Sequence, residues 1–138
     1  MLFRSIVGLG EMTWLAQKSH QEVGALIKPS WQHALAAILA ASGWEVAKSL
    51  AYIGGILSEK EFQDLTYLHN STITVFEDTQ GGVISVECVR NLLAKSEIEV
   101  QIRKIGISED ESKRDALTAY GADVYPNIDD ALHSLEYF

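Results

Sequence analysis

The chain has 138 residues, 47% hydrophobic and 22% charged, the length and balance of one soluble globular domain rather than a disordered or fibrous chain. Its 11 Lys and Arg against 19 Asp and Glu give a formal net charge of -8, a surface that repels phosphate backbones and speaks against nucleic acid and anionic membrane as partners. A single cysteine, Cys88, excludes an internal disulfide and agrees with a reducing, cytoplasmic setting. The longest apolar stretch, Ala34 to Ala41, is far short of the roughly 18 residues of a membrane span, and Met1-Leu2-Phe3-Arg4-Ser5 lacks a signal-peptide layout.

Along the chain, Phe3 to Leu9 reads as a strand and Glu11 to Val23 as a helix carrying Trp14 and Leu15. Ser30 is placed to cap a helix whose stripe is Trp31, Ala34, Leu35, Ile38 and Leu39, the spacing of one buried face. Ser42-Gly43 should stop it. A shorter helix is expected over Glu45 to Ile53, ending at Gly54-Gly55. Ser58 with Glu61 forms a capping box that opens a helix carrying Phe62, Leu65 and Leu68, closed by Asn70-Ser71.

Thr72 to Phe76 is short, β-branched and bounded by polar residues, which predicts a strand. Gly81-Gly82 then leads into a helix with Val86, Val89 and Leu93 on one face. Val100 to Ile107 predicts a second strand. Ser108 is placed to cap the next helix, with Glu111 at the capping-box position and Ala116, Leu117 and Tyr120 facing inward. Gly121 ends it, and Asp123-Val124-Tyr125 is a third strand. Asn127 caps a last helix with Ile128, Ala131, Leu132 and Leu135 inward.

This order, β-α-β-α-β-α at short repeat distance, predicts parallel strands joined by right-handed crossovers. The expected architecture is α/β. A small three-layer parallel sheet of Rossmann-like type occupies residues 71–138, beside a mainly helical portion over 1–70. No linker or repeat interrupts the chain, so 1–138 is read as a single domain.

In open parallel sheets ligands bind beyond the carboxyl ends of the strands. That edge carries Glu77-Asp78-Thr79 after the first strand, Ser108 after the second and Pro126-Asn127 after the third. Two adjacent carboxylates before a glycine turn can hold a hard cation such as Mg²⁺. They equally suit a βα loop whose acids cap the following helix. The spacing alone favours the capping role.

The stretch Val75-Phe76-Glu77-Asp78-Thr79-Gln80-Gly81-Gly82-Val83 resembles the fourth motif of haloacid-dehalogenase-like (HAD) phosphatases and phosphomutases. Lys28-Pro29-Ser30 resembles their third motif, and Ile105-Gly106-Ile107-Ser108 with Gly121-Ala122-Asp123-Val124-Tyr125 resembles their C-terminal end. The resemblance spans about residues 25 to 138. It implies phosphoryl transfer from small phosphorylated molecules with Mg²⁺. Glu77 and Asp78 would be the acids beside the metal, Lys28 would balance charge at the reacting group, and Thr79 and Ser108 would contact phosphate or substrate. Positioning and charge stabilisation are what phosphoryl transfer asks of a protein.

The chain departs from that family in one decisive place. Members begin with a strand ending in Asp-x-Asp, whose first Asp attacks phosphorus. Here no Asp precedes Asp64 and Asp-x-Asp occurs nowhere. The chain therefore corresponds to the C-terminal half of such a fold, and alone it should not hydrolyse phosphate. Mg²⁺ is expected only if a nucleophile half is supplied. The missing strand would leave Thr72 to Phe76 at a sheet edge, open to pairing with another chain. This predicts a homo-oligomer or a complementary partner through residues 72–76, unless Phe3 to Leu9 fills the slot. The competing readings are a Mg-dependent phosphatase or phosphomutase completed in trans, and a non-catalytic interaction module.

Other residues read as structural. His20, His33, His69 and His133 are scattered without an i, i+4 pair, Cys88 is placed in the core, and Ser108 to Arg114 reads as a capped helix start. No Gly-rich nucleotide signature is present.

Overall fold

The stripe at Ala34, Leu35, Ile38 and Leu39 does what its spacing predicts. In the computed structural model, which describes residues 31–56 and 63–136, helix α1 (Trp31–Ala41) buries all four. Gly43 adopts φ 109°, while its N–H donates to Ala40 O at 3.2 Å and the Trp44 N–H donates to Leu39 O at 3.1 Å. That pair of bonds is a Schellman stop. The strand and helix expected over Phe3 to Leu9 and Glu11 to Val23, together with Lys28, Ser30, Ser58, Glu61 and Phe62, lie outside the described residues.

Helix α2 spans Val46–Ile56 and buries Ser49, Leu50 and Ile53. It runs through Gly54 and Gly55, where the sequence predicts a stop. A helical glycine costs only about 1 kcal/mol against alanine, so a helix anchored by Leu50 and Ile53 continues one more turn. The next segment differs too. Gln63–Leu68 is a 3₁₀ helix rather than an α-helix. With three residues per turn, Leu65 and Leu68 fall on the same side, and both are buried.

Three strands follow, each with a helix after it. They are β1 (Thr72–Glu77), α3 (Gln80–Ala94), β2 (Gln101–Ile107), α4 (Glu111–Ala119), β3 (Asp123–Tyr125) and α5 (Ile128–Glu136). The sheet order is β1-β2-β3 with every pair parallel, so the chain has a small α/β fold. Register places Ile73 beside Ile102, Val75 beside Lys104, Glu77 beside Gly106 and Gly106 beside Val124.

Because side chains alternate across a strand, these residues share one face of the sheet. Ile73, Val75 and Ile102 pack there against the main core, to which α1, α2 and α3 contribute. Further along, Leu117 of α4 lies against Gly106 and Val124, and it shares a smaller cluster with Val83 and Ala122. Helix α5 contacts β2 and β3, and its Ala131 and the Ile105 of β2 are buried outside both of those clusters, which puts α5 on the opposite face of the sheet. Three layers result, with α1 stacked outside α3.

Several local expectations need correction. Helix α3 begins at Gln80, so Gly81 and Gly82 lie inside its first turn rather than before it. Cys88 is exposed, because α3 turns Val86, Val89 and Leu93 inward and position 88 falls outside that arc. Tyr120 follows the end of α4 and is 42% exposed, and Ile128 is 37% exposed at the start of α5. Asp110, not Ser108, is the N-cap of α4.

Candidate functional site

Parallel pairing brings the ends of β1, β2 and β3 to one edge of the sheet, each passing directly into the N-terminus of a helix. At the end of β1, Glu77 is half-buried and Asp78 exposed. The Glu77 carboxylate lies over the Cα of Gly82, in the space that a Cβ at position 82 would need. This sets a negative charge beside the first turn of α3, where the helix dipole favours it. Thr79 is the N-cap of α3, its hydroxyl accepting from the Gly82 N–H at 3.4 Å.

At the end of β2, the Ser108 N–H donates to Tyr125 O at 3.0 Å and joins the ends of β2 and β3. The Ser108 hydroxyl accepts from the Asp110 N–H at 3.1 Å, and its carbonyl accepts from Arg114 Nη1 at 3.5 Å. Asp110 in turn accepts from the Lys113 N–H at 2.9 Å. That backbone bond, with help from the Ser112 side chain, holds the Asp110 carboxyl below its ordinary value of 3.8. At the end of β3, Asn127 Oδ1 accepts from the Asp130 N–H at 2.8 Å, and Asn127 Nδ2 donates to Asp130 Oδ2 at 3.2 Å. The first of these bonds is the N-cap expected of Asn127 for α5.

Between the first turns of α3 and α4 lies a hollow of about 180 Å³ lined by Thr79, Gln80, Ser112, Lys113 and Ala116. Its lining residues carry an ammonium, an amide and two hydroxyls, of which that of Thr79 caps α3 and that of Ser112 bonds Asp110. Of the residues singled out from sequence, Thr79 lines this hollow. Glu77, Asp78 and Ser108 stand at the same edge without lining it. Lys28 lies outside the described residues. Gln80, Ser112 and Lys113 escape sequence reasoning. Their one available signal is position, since each falls in the first turn of a helix that follows a parallel strand.

Glu77 and Asp78 also bear on the Mg²⁺ that the family resemblance implies. Among the described residues no three His, Cys, Asp or Glu side chains converge on one point. A closed protein cage is therefore not built from them. Mg²⁺ usually keeps several waters and takes only one or two carboxylates besides ligand phosphates.

Away from this edge, a shallow groove of about 520 Å³ runs along α2 between Trp44, Lys48, Ala51 and Tyr52. Trp44 and Tyr52 meet edge to face at 5.2 Å, and Lys48 Nζ stands 4.6 Å from the centre of the Trp44 ring. Among the described residues no helix is long and apolar enough to cross a membrane. Comparison with family models, curated proteins and solved structures gives no match.

Proposed function

We propose that this chain is a HAD-like, phosphatase-related domain that binds a small phosphorylated molecule at the carboxyl edge of its sheet and does not hydrolyse it alone. The observation that carries the reading is the β1 end. The run from Val75 to Val83 holds Glu77, Asp78 and the helix-capping Thr79 at the carboxyl edge of a parallel sheet. The hollow containing Lys113 opens beside it. Lys113 would meet the negative charge of the phosphoryl group, while Thr79, Gln80 and Ser112 would orient it. Mg²⁺ held through Asp78 and Glu77 would neutralise phosphate charge. No aspartate stands in an Asp-x-Asp arrangement to attack phosphorus, so the covalent step has no nucleophile in this chain.

The test is the purified chain against a broad panel of phosphorylated metabolites with Mg²⁺, beside Asp78→Asn and Lys113→Ala controls. The expected result is no turnover, with a phosphorylated compound raising the unfolding temperature of the wild type but not of Lys113→Ala. Turnover abolished by Asp78→Asn would overturn the reading, because it would require a nucleophile in this chain.

A second reading, completion by another chain, draws on the sheet edge. Among the described residues β1 pairs with β2 alone, and an edge strand is a template for a further strand. The added strand would come from a nucleophile-bearing half or from a second copy of this chain. Light scattering on the purified chain tests the second-copy form directly. A monomer at all concentrations would rule out the homo-oligomer and leave the partner to be sought as a separate polypeptide.

A further inference from the structure

No further inference is drawn: the strongest candidate, the shallow aromatic groove along α2 between Trp44, Lys48 and Tyr52, carries nothing because nothing in the structure shows what covers it.

Discussion

The carboxylate of Glu77 occupies the space beside Gly82 that any other residue would fill with its Cβ. Gly82 is buried in the first turn of α3 and Glu77 ends β1, so the contact lays the last side chain of the strand against the start of the helix. Glycine is otherwise costly there. Relative to alanine it weakens a helix by roughly 0.8–1 kcal/mol.

The two terms can be separated by a double-mutant cycle. Gly82→Ala in the wild type must turn aside the Glu77 carboxylate, the flexible end of its side chain, and so forfeits about 0.3–1 kcal/mol of its attraction to the helix N-terminus against the propensity that alanine gains. In a Glu77→Ala background the collision is gone. The same Gly82→Ala change should then be neutral or stabilising by up to about 1 kcal/mol. Urea denaturation of the four proteins measures this directly, and equal effects in both backgrounds would show that the carboxylate does not matter.

Lys104 links three elements from the middle of the sheet. Its ammonium pairs with Glu87 of α3 and donates to the Tyr120 carbonyl at the end of α4, at 3.0 Å. Only 18% of its side chain is exposed, so water replaces these partners poorly. Lys104→Met keeps the apolar stem and removes the charge. We expect a loss of about 2 kcal/mol, in the range for hydrogen bonds to charged groups. Arg90, which also pairs with Glu87 but is 44% exposed, sets the comparison. Arg90→Met should cost well under about 1 kcal/mol. Similar losses in thermal or urea unfolding for both variants would contradict the assignment.

Elements whose signal is periodic are legible in the amino-acid sequence. The α1 stripe, the β1 and β2 strands and the Asn127 cap all follow from short-range patterns, and each stands where the pattern puts it. Gly54-Gly55 misleads because a glycine pair reads as a stop, while Leu50 and Ile53 anchor a helix that tolerates both. Cys88 misleads because the thiol's chemistry suggests a core position and its angle does not. At about 100° per residue it lies about 200° around α3 from Val86.

The candidate site is legible only in part, for a long-range reason. Thr79 is named from the sequence only as a contact for phosphate or substrate while the cap is given to the acids before it, and Ser112 and Lys113 join it only because parallel pairing sets α3 and α4 side by side. Nothing in the local sequence around Lys113 carries that information. Glu77 and Asp78 look equivalent in the chain, yet one is half-buried against Gly82 and the other exposed.

The end of α3 offers a stabilising change. Glu97 sits at φ 61°, in the left-handed region that side chains avoid. Its N–H donates to Ala94 O at 3.0 Å, and the Ile98 N–H donates to Leu93 O at 3.0 Å, which makes Glu97 the turning residue of a Schellman stop. Ile98 and Leu93 are both buried, so the turn is held by packing beyond it. Glu97→Gly removes the steric penalty at the cost of extra freedom in the unfolded chain. The net expectation is a gain of about 0.5–1 kcal/mol. A drop in the urea midpoint would mean that the Glu97 side chain makes a compensating contact.

Asp110 gives the fold a pH-dependent part. The Lys113 backbone N–H, and then the Ser112 side chain, favour its ionised form and hold its carboxyl below the ordinary 3.8. The folded state thus prefers the carboxylate more than the unfolded chain does. The resulting stabilisation is fully present above the unfolded value and is lost as pH falls through the lowered folded value. Asp110→Ala removes the cap as well as the charge, so it should be less stable than wild type at neutral pH. As the pH is taken below the ordinary value of 3.8, protonation removes the charged cap from the wild type too, and the gap between the two proteins should narrow. Urea midpoints for both proteins across that range test the point. A gap that stays constant would show that the Asp110 carboxylate contributes nothing through its charge to the start of α4.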